Sequence, residues 1–140
     1  MSDPALAFDS ISELAAKIRA GALSPVALTE ALLERIAALN GHLHAFIAVT
    51  RERALAEARA AELALRGGQD LGPLHGIPYA AKDLFDVRGV ATTAGTRLLA
   101  GNVAKEDAAV VRRLAGAGMV LVGKTYTRSE ERRVGKECRL

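Results

Sequence analysis

The amino-terminal part of the chain places apolar residues with the period of an α-helix. Ser10 and Glu13 form a capping-box pattern, and the apolar positions after them recur every three or four residues until Gly21. A second stripe follows Ser24, which precedes a proline at the first helical position, and this stripe ends at Asn40-Gly41. The pattern predicts two helices, the first shorter than the second.

A third helix is predicted in the alanine-rich segment RERALAEARAAELALR. Thr50 stands before it as a candidate N-cap, and Gly67-Gly68 closes it. The short AFIAV segment that precedes Thr50 is predicted to be extended. The first 66 residues are therefore expected to be mainly helical.

After Gly67 the pattern changes to that of a sheet. A stretch rich in glycine and proline leads into the short apolar segment 77–81, which has the length of a strand. Asp107 is a candidate cap for a further helix, and the apolar run Met119 to Val122 is typical of a buried strand. Strand, helical crossover and strand is the order of a parallel pair. We expect an α/β fold in which amino-terminal helices precede the first strands of a sheet.

Composition indicates a soluble globular protein, since half of the 140 residues are hydrophobic and a quarter are charged. Residues 128–140 hold five of the 19 basic and three of the 16 acidic residues, so the rest of the chain is close to neutral. A neutral body with few aromatic residues argues against nucleic-acid binding.

The single cysteine, Cys138, excludes a disulfide framework and a thiolate metal cluster within the chain. No leader or membrane segment is recognised, so a cytoplasmic location is expected.

The segment GPLHGIPYAAKDLFDVRGVATTAG, Gly72 to Gly95, resembles the opening of the amidase-signature domain, where a G-P-L-H-G-I-P turn leads into a strand ending in Lys-Asp. The similarity continues through KEDAAVVRRLAGAGMVLVGKT, so residues 1–127 resemble the amino-terminal part of that domain and its mixed sheet. The resemblance implies that Lys82 is the catalytic lysine of a Ser-Ser-Lys triad. Such a lysine must be neutral to take a proton from a serine, which requires an enclosed site.

Other interpretations of these residues remain open on the sequence alone. Without the motif, Lys82 would be an ordinary lysine at a strand end, solvated or paired with a neighbouring aspartate. Asp83 is expected to support the loop and not to act as a catalytic acid, and His75 to be a hydrogen-bonded structural residue. The three histidines are too few and too scattered for a metal site, and no cofactor is expected. Thr92, Thr93 and Gly95 match the TTAG stretch that lies near the substrate region in the resembled family. An ordinary turn with hydroxyl hydrogen bonds explains them equally well.

Gly118 to Thr125 also fits the P-loop pattern G-x-x-x-x-G-K-T. The residues between its glycines are Met-Val-Leu-Val, which favour a strand, and a helix precedes the first glycine where a P-loop requires a strand. We therefore expect a strand and no nucleotide site.

The serines of the implied triad are absent from the sequence, in which all five serines are isolated. We therefore expect a truncated, catalytically inactive fragment, whose residues 128–140 are non-native or disordered. Truncation is also expected to leave an edge of the Met119 to Val122 strand unpaired, which favours poor solubility or a homo-oligomer.

The parent protein is expected to be a hydrolase of small carboxamides. One alternative is the amidase subunit of a tRNA-dependent amidotransferase, which requires partner subunits. A second, from another class, is a non-catalytic stub or a helical interaction module.

Overall fold

A computed structural model describes residue 6 and residues 8–127. Its helices and strands follow in the order α1 (Ile11–Arg19), α2 (Pro25–Leu43), β1 (Phe46–Val49), α3 (Arg51–Arg66), β2 (Pro78–Lys82), α4 (Ala109–Gly116) and β3 (Val120–Thr125). One 3₁₀ turn, Arg97–Leu99, lies in the long connection between β2 and α4. The fold class predicted from the sequence is confirmed. The prediction for residues 128–140 lies outside the described residues.

Serine side chains begin the first two helices as predicted. The Ser10 hydroxyl accepts from the backbone N–H of Glu13 at 3.2 Å, and Glu13 Oε2 accepts from the backbone N–H of Ser10 at 2.8 Å. The Ser24 hydroxyl accepts from the N–H groups of Val26 and Ala27 at 3.1 and 3.2 Å. Both caps satisfy donors that the first turn of a helix leaves unpaired.

The predicted end of α2 at Asn40-Gly41 is wrong, because the helix continues to Leu43 and His44 takes the left-handed conformation after it. Asn40 does not break the helix. Its side-chain amide bonds both the N–H and the carbonyl of Phe46, at 2.8 and 3.0 Å, and so holds the start of β1 against the helix.

Two predicted caps make no cap hydrogen bond, because a tertiary partner binds the side chain. Thr50 does occupy the N-cap position of α3, whereas the prediction of Asp107 as the cap of α4 is wrong. The Thr50 hydroxyl donates to the carbonyl of Leu121 at 2.8 Å and makes no cap hydrogen bond to α3. The Asp107 carboxylate forms a bidentate ion pair with Arg53, at 2.9 and 2.8 Å, and the residue that precedes α4 is Ala108. A single-sequence pattern cannot show that such partners outcompete the helix end.

The three strands form one mixed sheet in the order β1-β3-β2. β2 and β3 are parallel, as predicted, with Lys82 beside Thr125, and β1 pairs with β3 in the antiparallel direction. β3 is therefore the central strand. β1 pairs with Gly123 to Thr125. The expectation of a bare edge at Met119 to Val122 is wrong at Leu121 and Val122, whose backbone groups bond to Thr50 and to the Glu57 side chain.

Helices α2 and α3 cover one face of the sheet, where Val120 and Val122 pack with Leu33 and Ala54. Leu121, which alternates to the opposite face, packs with a second group of buried residues that includes Ala81, Val87 and Val111. A third cluster joins α1 and α2 to the residues at the beginning of β2 and β3: Leu14, Ala15, Ile18, Leu28, Ile77 and Met119. Within the described residues, no helix is long and apolar enough to cross a membrane.

Candidate active site

Lys82 is the last residue of β2, at the carboxyl end of the parallel pair. It is partly buried. The ladder to β3 fixes the strand up to this point, and the chain then turns, with the N–H of Phe85 donating to the carbonyl of Lys82 at 3.0 Å. A lysine in this position is held by the sheet on its amino-terminal side and by a turn on its carboxyl-terminal side.

An open apolar groove lies between α2 and the sheet, and residues of β2 contribute to its lining. Alternation along β2 puts Lys82 on the same side as Ala80 and opposite the buried Ala81. Ala80 lines a groove of about 330 Å³ between α2 and the sheet, together with residues that include Leu39 and Phe46. The groove itself is mainly apolar, and Lys82 is not one of the residues that line it.

Directly after Lys82, Asp83 forms an ion pair with Lys124, and both side chains are inaccessible to solvent. Asp83 Oδ1 lies 2.6 Å from Lys124 Nζ, as an ionic contact without the alignment of a hydrogen bond. Asp83 Oδ2 accepts from the N–H and the hydroxyl of Thr93, at 3.1 and 2.5 Å. Lys124 Nζ also donates to the carbonyl of Ala91 and to the hydroxyl of Thr92, each at 2.8 Å.

The electrostatics of this cluster keep Asp83 ionised. Burial by itself raises the pKa of a carboxyl group, but the Lys124 ammonium and the hydrogen bonds from Thr93 outweigh burial and hold the pKa of Asp83 below its usual value. Asp83 therefore acts as a fixed anion, which agrees with the expectation that it supports the loop.

The sequence reasoning missed Lys124. In the sequence, Lys124 stands out only as part of a P-loop pattern. The prediction that this pattern forms a strand is confirmed, since Val120 to Thr125 is β3. The available signal was a lysine that directly follows a buried apolar run, where a charge requires a partner. The sequence does not show that Asp83 is that partner, because the pairing depends on the register of two strands.

His75 is structural, as expected. Its ring is buried, and Nδ1 accepts from the N–H of Leu71 at 3.1 Å. A side chain at Gly118 would place Cβ 2.3 Å from the ring, so glycine is needed there to admit the histidine. Burial lowers the pKa of His75, although the nearby Asp70 carboxylate opposes this shift.

No serine nucleophile is placed beside Lys82 by the part of the chain that the structure describes. The hydroxyls of Ser10 and Ser24 cap α1 and α2, and Ser12 is an exposed residue of α1. The hydroxyls of Thr92 and Thr93 are bonded to the ion pair, and the hydroxyl of Thr125 donates to the carbonyl of Ala81 at 3.5 Å. The described residues therefore offer a candidate base without a nucleophile.

Comparison with protein families gives a match to the Amidase family over residues 27–130. Among curated proteins, the chain is 47% identical over 114 residues to a glutamyl-tRNA(Gln) amidotransferase subunit from Streptomyces coelicolor, covering 81% of this chain and 23% of the relative. The protein of the same name from Anaeromyxobacter is 47% identical over 126 residues, or 89% of this chain and 26% of the relative. The chain thus spans about a quarter of the length of these relatives.

Among solved structures, the chain resembles the native peptide amidase from Stenotrophomonas maltophilia, with 42% identity and a TM-score of 0.81. The superposition covers 87% of this chain and 25% of the peptide amidase. The helices and the mixed sheet described above are therefore shared with part of a larger enzyme.

Proposed function

The chain belongs to the Amidase family, and on that premise we propose that the whole protein hydrolyses the C–N bond of small carboxamides, with Lys82 as its catalytic lysine. The observation that carries the proposal is the position of Lys82, which ends β2 at the carboxyl edge of a parallel strand pair. Ligands of open α/β sheets bind at this edge, where loops bring side chains together.

In the proposed mechanism, the neutral Nζ of Lys82 takes a proton from a bridging serine, which takes one from the nucleophilic serine. The nucleophile attacks the amide carbonyl, and the proton returns through the same relay to the departing amine. Water then hydrolyses the acyl-enzyme. The family resemblance implies that both serines lie outside these 140 residues, so the Ser-Ser-Lys triad is itself part of the proposal.

Lys82 ends β2, and Lys124 is the next-to-last residue of the adjacent strand β3. Lys124 donates to two oxygens and contacts a third, that of an ionised Asp83. Losing a proton from Lys124 would leave that buried carboxylate without a counter-ion. Lys82, which lies in the family motif and is only partly buried, is the better candidate for a base.

The test is hydrolysis of a series of simple primary amides by the whole protein, followed by ammonia release. Lys82→Ala is expected to lower kcat by about 10³-fold or more, since triad members act as a unit. Lys105→Ala, which changes an exposed lysine in the loop before α4, is the matched control and is expected to retain wild-type activity. Wild-type activity in Lys82→Ala would refute the assignment of the catalytic lysine.

A second candidate function is that of the amidase subunit of a tRNA-dependent amidotransferase. It is favoured by the 47% identity to two proteins that are named as a subunit of such an enzyme. In that case the whole protein is expected to copurify with partner subunits from its native host and to release ammonia from glutamine in an ATP- and tRNA-dependent manner. Efficient hydrolysis of simple amides by the isolated protein would favour the first function. The cytoplasmic location and the homo-oligomer expected from the sequence stay predictions.

A further inference from the structure

We propose that the buried ion pair of Asp83 and Lys124 is a positioning device for Lys82. It fixes the peptide that follows Lys82 and so sets the direction in which the Lys82 side chain leaves β2. The inference rests on the proposed function for its catalytic consequence.

Nearly every polar group of Asp83 contacts a partner elsewhere in the chain. Its N–H donates to the carbonyl of Thr125 at 3.0 Å, and its carbonyl accepts from the N–H of Ala94 at 3.1 Å. One carboxylate oxygen contacts Lys124 and the other accepts two hydrogen bonds from Thr93. The residue next to Lys82 is thereby fixed to β3 on one side and to the 91–94 segment on the other.

Lys124, on the central strand β3, contacts both Asp83 and the 91–94 segment. Its amino group reaches Asp83 and also the carbonyl of Ala91 and the hydroxyl of Thr92. The three structural parts that meet here are the end of β2, the end of β3 and the 91–94 segment. Because the cluster is inaccessible to water, the attraction between its charges is weakly screened and its geometry is well defined.

Stability alone is a poor reason for such a pair, because replacing a buried ion pair by apolar residues is often neutral or stabilising. The pair's neighbour Ala81 belongs to an apolar cluster that also includes Val87 and Leu121. The direct partners of the pair, by contrast, are polar groups of the 91–94 segment. The pair instead sits one residue from the candidate base. A catalytic group must be held within about 0.5 Å of its productive position, and neighbouring hydrogen bonds supply that precision.

The first experiment measures the position of Lys82 without relying on hydrolysis. The whole protein is treated with a limiting amount of an acetylating reagent, and the labelling rate of Lys82 is measured by mass spectrometry relative to that of Lys105. The variant Asp83→Asn/Lys124→Met removes both charges and keeps similar volumes. Its Lys82 labelling rate is expected to change by about threefold or more, since the supporting contacts are lost.

The control variant is Arg53→Met/Asp107→Asn, which removes a different ion pair between α3 and the approach to α4. Its Lys82 labelling rate is expected to equal that of the wild type. Thr93→Val removes the 2.5 Å hydrogen bond to Asp83 and a longer one from the N–H of Gly95, and tests the same connection while keeping both charges. A smaller change in the same direction supports the proposal, and wild-type labelling in both test variants overturns it.

The second experiment measures kinetics with the simple amides used above. The double variant of the pair is expected to lose about 10- to 100-fold in kcat with little change in KM, since misplacing a catalytic group by about 1 Å costs this much. A loss confined to KM, or no loss, overturns the positioning role. Failure of the proposed function would give a different result. Either the wild type would not hydrolyse amides, or Lys82→Ala would keep full activity. In both cases the labelling rates still test the positioning role.

Discussion

Gly123 is a residue of β3 that β1 approaches so closely that no side chain fits there. A Cβ atom added there would lie 2.4 Å from the carbonyl oxygen of Ala48, 3.0 Å from the ring of Phe46 and 3.2 Å from Cα of Val49. Two of these three atoms are backbone, so no side-chain rotation can make room. We predict that Gly123→Ala separates β1 from β3.

The size of the effect follows from the contact distance. Carbon and oxygen atoms approach to about 3.3 Å in sheets, so β1 must retreat by about 0.9 Å. Overpacking of this kind costs about 1–3 kcal/mol, and the shift strains the backbone bonds that flank the contact, Thr50 N to Val122 O and Tyr126 N to Ala45 O. We expect a loss of about 2 kcal/mol in the free energy of unfolding, or a fall in Tm of roughly 6–10 °C for a domain of this size.

The assay is urea unfolding of the 140-residue chain, followed by far-ultraviolet circular dichroism. Gly41→Ala is the matched control, because Gly41 lies inside α2 and a Cβ there meets no atom within 4 Å. The control is expected to gain about 0.5–1 kcal/mol from the helix propensity of alanine. If Gly123→Ala unfolds at the wild-type urea concentration, the close approach of β1 and β3 is wrong.

Three further predictions concern pH, an ion pair and activity. The pKa of His75 is lowered by burial, so the folded chain binds this proton less readily than the unfolded chain. Stability should be full above about pH 6.5 and fall as pH drops below it, and His75→Asn should flatten the curve of Tm against pH between about pH 7 and 5. The pKa of Asp107 is lowered chiefly by Arg53, so Arg53→Met should cost about 1–2 kcal/mol at neutral pH and less as pH falls below about 4, measured by urea unfolding. The purified 140-residue chain should release no ammonia from amides.

Each of these predictions has its own control. His42→Asn changes an exposed histidine of α2 and is the matched control for His75→Asn, since an equal flattening in both variants would contradict the assignment to His75. Arg66→Met breaks the largely exposed pair with Glu62 and should cost less than about 0.5 kcal/mol at any pH. An equal loss in Arg53→Met and Arg66→Met would contradict the importance of the Arg53 ion pair. Amide hydrolysis by the 140-residue chain that disappears in Lys82→Ala would contradict its predicted inactivity.

The elements that could be predicted from the sequence are those specified by short-range chemistry. Ser10 and Ser24 cap helices because the partner N–H groups lie two or three residues away, within the same turn. Periodic apolar positions locate α1 to α4, and the short apolar runs locate β2 and β3. The parallel pairing followed from the helical crossover between them.

What the sequence could not show depends on partners far along the chain. Thr50 and Asp107 have the chemistry of helix caps, yet their side chains bond to residues 71 and 54 positions away. The order β1-β3-β2 likewise required knowing that a four-residue strand pairs with β3. Local propensity carries no information about residues that lie far along the chain. The pattern therefore gave the right elements but the wrong side-chain contacts at the starts of α3 and α4.

Functional residues, like helix ends, cannot be fully assigned from local sequence. The two lysines at the carboxyl edge of the sheet show this. Lys82 could be singled out because it lies in a long motif, whereas Lys124 followed an apolar run and matched a pattern that the fold does not use. In the structure, Lys124 is the more deeply buried, with three oxygen contacts that account for its charge. Burial of a lysine is therefore not sufficient to identify a base. A base requires a lone pair directed at its substrate, and a lysine whose contacts are all protein oxygens is suited to hold the structure around that base.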